Sequence, residues 1–237
     1  MQPSPHSQKV VIKSFTHIPL QTPLPELAAD TTANGRFYTT PDGNVYPSIT
    51  TVLGALSKEH IGAWKERVGE IEAKQISEHA ANRGTELHAV LESYLKNEEL
   101  VFPEDPRSKV RIMFNRMKRV LATSVDNIVA QEVPLYSDEL GIAGRCDVIG
   151  EWLRKLAIID FKGSTKAKRT EWIQGYFMQA TGYALMFEER TGIRIDQIVI
   201  LMSGEDDFSC QVFVEDRAKF IEPLKETIAL FRNTHGN

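Results

Sequence analysis

The sequence has few of the features that mark several large classes of protein. Its 237 residues include only two cysteines, Cys146 and Cys210, which cannot build a disulfide framework or a four-cysteine metal site. The longest apolar stretches, at 155–161 and 198–203, are far too short to cross a bilayer. There is no internal repeat and no low-complexity linker. We therefore expect a protein of a reducing compartment with no membrane partner.

Size and charge favour one folded unit. With 42% hydrophobic and 25% charged residues, the chain can close one buried domain, or a core with a helical elaboration. A formal net charge of −4 argues against a protein that coats nucleic acid indiscriminately. The first 25 residues contain Lys9 and Lys13 but neither acid nor arginine, and they are rich in proline. We interpret residues 1–33 as a tail rather than a mitochondrial targeting sequence, and residues 34–237 as a single domain.

The periodicity of apolar residues predicts a helical N-terminal half followed by an α/β core, divided near residue 125. A Pro-Asp-Gly-Asn turn at 41–44 predicts a hairpin over 34–47, and Ser48 is a candidate N-cap for the helix that follows. Helices are predicted over 60–82, 84–96, 107–119, 170–190 and 216–232. Arg83 and Gly84 are predicted to interrupt the helical run between the first two. Strands are predicted over 127–137, 141–150, 155–162, 195–203 and 208–214.

The predicted helix at 107–119 carries six basic residues and no acidic one. Its apolar residues fall at helical spacing, so the helix has an apolar seam and a cationic exterior. Arg111, Arg116 and Lys118 are therefore candidates to bind phosphate groups of a nucleic acid, and a solvated helix face is the alternative.

Two aspartates lie on neighbouring predicted strands. Asp147 precedes a short turn near 151–155 and Asp160 follows it, so a hairpin brings them together. Side chains alternate along a strand, and Asp160 and Lys162 therefore share a face while Phe161 points away. A carboxylate at the end of the buried run 156–159 needs a cation, which Lys162 and a Mg²⁺ or Mn²⁺ ion could supply. Such a site suits phosphodiester hydrolysis, whereas a structural Asp–Lys pair is the alternative.

Four motifs in this order resemble the PD-(D/E)XK nuclease superfamily in its RecB-like branch, and within it the phage exonucleases related to the mitochondrial genome maintenance exonuclease. They are Arg83-Gly-Thr-Glu-Leu-His88, Gly144-Arg-Cys-Asp147, Ile159-Asp-Phe-Lys-Gly163 and Gln179-Ala-Thr-Gly-Tyr183, and Arg36-Phe-Tyr-Thr-Thr-Pro41 is similar as well. The resemblance implies a restriction-endonuclease-like fold and a metal held by His88, Asp147, Asp160 and the Phe161 carbonyl, with Lys162 as the catalytic lysine. Cys146 stands where the family has a variable proline. The cysteines that hold an iron–sulfur cluster in some relatives are missing, so we expect no cluster.

The remaining candidates have two interpretations each. Glu132 is a supporting acid if its strand takes one of two registers, and a solvated residue in the other. Glu92, one helical turn after His88, could orient the site. The family pattern suggests that further residues contact DNA, although a core position or a solvated loop would explain several of them equally well: Arg83, Lys166, Gln179 and Tyr183.

These observations predict a Mg²⁺- or Mn²⁺-dependent DNA exonuclease acting on single strands or free ends. Its relatives imply a role in DNA repair, recombination or replication in the cytoplasm of a bacterial or phage-infected cell. The alternatives are a structure-specific endonuclease of the same fold and a non-catalytic DNA-binding or assembly protein.

Overall fold

A computed structural model of the chain describes residues 13–55, 58–105, 108–206 and 210–235, with the side chains at 58–61, 64 and 235 outside the described set. Predictions that rest on residues 1–12, on Arg107 or on the side chains of Ile61 and Trp64 lie outside the described residues. Within the predicted tail, residues 13–33 lie against the folded chain. Phe15 is buried edge-on against Tyr94, with 5.0 Å between ring centroids.

A small antiparallel sheet begins the described fold. It consists of β1 (Ala28–Thr32), β2 (Gly35–Thr39) and β3 (Val45–Pro47), in that order. The turn between β2 and β3 is closed by a hydrogen bond from Thr40 N to Asn44 O of 2.8 Å, which confirms the predicted hairpin. Strand β1 was not predicted, because the exposed sequence AADTT has no apolar alternation.

Four helices follow: α1 (Ile49–Ala55), α2 (Lys58–Val68), α3 (Glu70–Leu95) and α4 (Val110–Ser124). Ser48 caps α1, because its Oγ accepts a hydrogen bond of 3.0 Å from Thr51 N. The predicted interruption at Arg83 and Gly84 is wrong. The chain breaks at Gly69, where φ is 93°, and α3 then continues through Gly84, since a single glycine costs a helix only about 1 kcal/mol.

The central sheet has five strands in the order β4-β5-β6-β7-β8. Their bounds are Val125–Ser137, Ile142–Trp152, Lys155–Ser164, Gln197–Gly204 and Cys210–Asp216. Only β6 and β7 pair in parallel, and α5 (Gln174–Thr191) forms the crossover that a parallel pair requires. Helix α6 (Ile221–His235) ends the described chain.

Helices cover both faces of this sheet. On one face, α3 and α4 pack their predicted apolar seams against alternate strand residues such as Ile159, Phe161 and Leu201. On the other face, α1, α5 and α6 pack against residues such as Ile158 and Ile200. The predicted α/β class, a mixed central sheet flanked by helices, is confirmed. None of the helices in the described part of the chain has the length and apolar character needed to cross a bilayer.

Candidate metal centre

The centre lies where strands β5 and β6 separate. Their antiparallel pairing runs from Trp152↔Lys155 to Val148↔Ile159, and the next residues on the two strands are Asp147 and Asp160. The strands part here because the Asp147 carboxylate replaces the ladder: its Oδ2 accepts a hydrogen bond of 2.8 Å from Phe161 N. Two buried carboxylates thus face each other across the split.

Glu132 adds a third acidic side chain from β4. Gln131 pairs with Val148 and Val133 pairs with Cys146, so Glu132 lies opposite Asp147 in the sheet. Its backbone has a positive φ of 47°, which interrupts the regular pairing at this point. Glu132 Oε1 lies 3.9 Å from His88 Nδ1. Of the two registers that the sequence allowed, the structure has the one that directs Glu132 to the centre.

His88 reaches the centre from α3, beside the buried stripe that holds this helix against the sheet. Its Nε2 lies 3.0 Å from the Phe161 carbonyl oxygen and its Nδ1 lies 3.5 Å from Asp147 Oδ1. Burial lowers the pKa of His88, but Asp147 and Glu132 outweigh burial and raise this pKa to about 9. The imidazole is therefore protonated at neutral pH, so its Nε2–H can donate a hydrogen bond to the Phe161 carbonyl while its Nδ1–H faces Asp147 Oδ1.

Asp160 and Lys162 project together from β6 toward α5, as the alternation of the strand predicts. Asp160 Oδ2 lies 2.5 Å from Lys162 Nζ, and Lys162 Nζ lies 5.2 Å from the centroid of the Tyr176 ring. Burial raises the pKa of Asp160 to about 6, against the opposing charge of Lys162. Burial lowers the pKa of Lys162, but Asp160 and Asp147 outweigh burial and leave this pKa above its usual value.

The donor set fits a hard divalent cation. His88, Glu132 and Asp147 each offer one ligand atom, and these atoms lie within 4.8 Å of one another. The buried Oδ1 of Asp160 has no hydrogen-bond partner among the described residues. Oxygen ligands with one imidazole suit Mg²⁺ or Mn²⁺. The sequence predicted a supporting role for Glu132. In the structure its carboxylate supplies one of the three ligand atoms that lie within 4.8 Å of one another.

Helix α5 forms the wall behind Asp147 and Asp160. Gln179 Nε2 donates a hydrogen bond of 2.9 Å to Tyr183 Oη, and both side chains are buried. Burial and the nearby aspartates raise the pKa of Tyr183 well above its usual value. Gly144 makes room for this tyrosine, since a Cβ there would lie 2.7 Å from Tyr183 Cε1. Gln179, a candidate DNA contact in the sequence, thus has a hydrogen-bond partner within α5.

The predicted DNA-binding cations have different surroundings. Arg83 is buried and its Nη1 pairs with Glu205, while Arg116 Nη1 donates to Gly204 O. Arg111 is exposed over the Phe102 ring, 3.9 Å from its centroid, and Lys118 Nζ lies 5.5 Å from the centroid of Tyr94. Lys166 is exposed in the loop after β6. Their binding to DNA stays a prediction.

Two residues near the centre had no assigned role in the sequence interpretation. Arg36 of β2 lines a pocket with His88 and Glu132, and its place in the Arg36–Pro41 motif was the available signal. Glu205 joins the end of β7 to Arg83 of α3. No local pattern identified Glu205, because the two residues of this ion pair are 122 positions apart.

Comparisons with known proteins give one curated relative with limited coverage. No protein-family model matches the chain. Mitochondrial genome maintenance exonuclease 1 of Homo sapiens is 29% identical over 133 residues, which are 53% of this chain and 38% of that protein. The chain thus spans about two fifths of the length of this relative.

Solved structures give weaker likenesses. A crystal structure of SSO0001 superposes with a TM-score of 0.42 and 20% identity, covering 78% of this chain and 75% of that one. A candidate exonuclease of Eubacterium rectale gives a TM-score of 0.41 and 11% identity, covering 80% and 70%.

Proposed function

We propose that this protein is a divalent-metal-dependent DNA nuclease with its hydrolytic centre at the β5–β6 split. The observation that carries the proposal is the convergence of His88, Glu132 and Asp147 beside the Asp160–Lys162 pair. A structural Asp–Lys pair explains only the last two residues. The name of the human relative supports nuclease chemistry. The order of the four sequence motifs is the basis for proposing the RecB-like branch of the PD-(D/E)XK superfamily.

The proposed metal ligands are His88, Asp147, Asp160 and the Phe161 carbonyl, with Glu132 as a further ligand. Asp160 would use its unpartnered Oδ1, and His88 would first lose a proton, because only the neutral imidazole can coordinate. A bound Mg²⁺ or Mn²⁺ ion supplies an activated water and stabilises negative charge on the phosphate. No iron–sulfur cluster belongs to this proposal.

Lys162 acts as a fixed cation in this proposal. The two aspartates keep its pKa high, so the ammonium stays protonated and can hold a phosphate oxygen or the attacking water by a hydrogen bond. Asp160 holds Nζ at 2.5 Å and thereby limits where the ammonium can lie. Tyr183 and Gln179 close the site from behind, which keeps bulk water away from the paired charges.

We further propose an exonuclease that acts on single-stranded DNA or on free ends in the cytoplasm. Its support is the exonuclease name of the human relative and the helical region before the core. From Glu70 to Asn82, α3 buries only Ala73, and α2 makes its main contacts with α3. This weakly buried region could border the path of a strand toward the centre.

The test is cleavage of 5′- and 3′-end-labelled linear single-stranded DNA in Mg²⁺ or in EDTA. Asp160→Asn and Lys162→Met should each lower kcat/KM by at least about 100-fold, because each removes a charge placed at the reacting phosphate. Asp42→Asn, in the exposed β2–β3 turn, is the matched control and should cleave as wild type does. Circular dichroism checks that the variants are folded. Undiminished cleavage in EDTA, or by either centre variant, would refute the proposal.

A further inference from the structure

We infer that Arg36 is a phosphate-binding residue that holds the DNA backbone at a nucleotide next to the scissile phosphate. This inference rests on the proposed function and adds a contact from outside the central sheet. Arg36 belongs to the small N-terminal sheet, yet it lines one pocket of about 460 Å³ together with Thr85, His88, Glu92 and Glu132.

The backbone of Arg36 is held on both sides of the residue. Its N–H donates a hydrogen bond of 3.0 Å to Thr51 Oγ1, and its carbonyl accepts one of 2.7 Å from Ser48 N. Thr51 Oγ1 also lies 3.3 Å from this carbonyl. Gly35 permits the close approach, because a Cβ at this φ of 121° would lie 2.3 Å from Thr51 Cγ2. The start of α1 therefore fixes where the Arg36 side chain begins.

The guanidinium of Arg36 lies over an aromatic ring at the surface of the protein. Its side chain is exposed, and its central carbon lies 5.3 Å from the centroid of the Tyr38 ring. No carboxylate among the described residues lies within ion-pairing distance of it. A guanidinium that lies over an aromatic ring at this distance keeps its planar donors available, and two of them match two oxygens of a phosphate.

The other charges of the pocket leave room for an anion beside Arg36. Glu92 Oε1 lies 2.6 Å from Lys96 Nζ, which balances its charge. Glu132 and His88 face the candidate metal centre. The anion nearest to Arg36 would then lie between this arginine and the metal centre, where the phosphate next to the scissile one would pass. A solvated arginine resting on Tyr38 is the competing interpretation.

The test measures binding of single-stranded oligonucleotides in Ca²⁺ by fluorescence anisotropy, using strands with one neutral methylphosphonate at each successive position. For wild type, one position near the cleavage point should weaken binding by about 10-fold. Arg36→Gln should weaken binding of the fully charged strand by a similar factor. In this variant, the methylphosphonate at that position should weaken binding no further. The slope of log affinity against log salt concentration should become less steep by about 0.7.

Two further variants separate the contact from a general loss of charge. Arg36→Lys should bind more tightly than Arg36→Gln but less tightly than wild type, because lysine keeps the positive charge without the paired N–H donors of the guanidinium. Arg154→Gln removes an exposed arginine from the turn at the far end of the β5–β6 hairpin and should keep the wild-type pattern. Thermal melting checks that each variant is folded.

The outcomes distinguish this inference from the proposed function. The same methylphosphonate pattern in Arg36→Gln as in wild type would overturn the role of Arg36 alone. Wild-type protein that binds the strands but does not cleave in Mg²⁺ would overturn the nuclease, while the binding series still decides the role of Arg36. Wild-type protein that does not bind the strands would overturn both.

Discussion

At the scale of single residues, a proton occupies one of the proposed metal ligands, the His88 imidazole. His88 has a pKa of about 9 and Asp160 one of about 6 in the metal-free protein. At pH 8 the carboxylate of Asp160 is therefore ionised, whereas the imidazole of His88 is still protonated. A metal that takes His88 as a ligand must displace this proton.

Mn²⁺ binding at pH 8 should consequently release about one proton, and its affinity should rise by about 10-fold per pH unit until pH approaches the pKa of His88. Calorimetry in buffers with different ionisation enthalpies measures both quantities. His88→Asn should bind Mn²⁺ more weakly and release little or no proton at this pH. Equal proton release by His88→Asn and wild type would exclude His88 as the displaced group.

At the scale of elements, the position of α3 depends on the ion pair between Arg83 and Glu205. The sequence had suggested Arg83 as a candidate DNA contact. Arg83 is buried with Glu205 at the end of β7, about 1.4 turns of α3 before His88. Burial lowers the pKa of Arg83, and within the part of the chain that the structure describes its Nε has no hydrogen-bond partner. Glu205 thus supplies the counter-charge of the buried Arg83 guanidinium, and this ion pair ties α3 to the end of β7.

Glu205→Gln should destabilise the protein by about 3–5 kcal/mol, because it leaves a buried guanidinium without its counter-charge. The double variant Arg83→Met/Glu205→Leu should recover much of this loss, since no buried charge then remains. Urea unfolding measures both changes. Glu78→Gln, in an exposed pair with Lys74 on the same helix, is the control and should cost at most about 1 kcal/mol.

A direct role of Arg83 in DNA binding makes a different prediction for the same double variant. If Arg83 bound phosphate, the double variant would bind DNA with a smaller salt slope even where its stability is restored. An unchanged slope together with a stability loss in Glu205→Gln would assign Arg83 to positioning α3.

At the scale of the whole molecule, the proposed exonuclease activity depends on how a strand would reach the candidate centre. If the region of β2, α2 and the first turns of α3 encloses this approach, a strand must enter by its end. Covalently closed single-stranded circles should then survive in Mg²⁺, while linear strands of the same sequence shorten progressively. Gel analysis of both substrates makes the comparison.

The control for this experiment is Asp160→Asn, which should leave circles and linear strands intact. Rapid conversion of circles to linear strands by wild type, absent in the variant, would mean that phosphates are attacked internally in an open cleft. The protein would then be an endonuclease of the same fold.

The sequence by itself determined the parts of this protein that depend on near neighbours. Sequence patterns predicted the strands of the central sheet, helical spacing predicted the buried seams of α3 and α4, and a short turn brought Asp147 opposite Asp160. The shared face of Asp160 and Lys162 followed from the pleat of one strand. Hydrogen bonds and side chains a few residues apart decide these features, so local patterns suffice to predict them.

Only the tertiary structure decided which distant residues join that hairpin. The positive φ of Glu132 and the register of β4 direct its carboxylate to His88, and the packing of α3 on the sheet brings His88 to Asp147. The same packing brings Arg83 into an ion pair with Glu205. The start of α1 holds Arg36 beside the pocket that it lines with His88 and Glu132. Each of these contacts joins residues far apart in sequence, and the face that an element presents is set by what it buries against its neighbours.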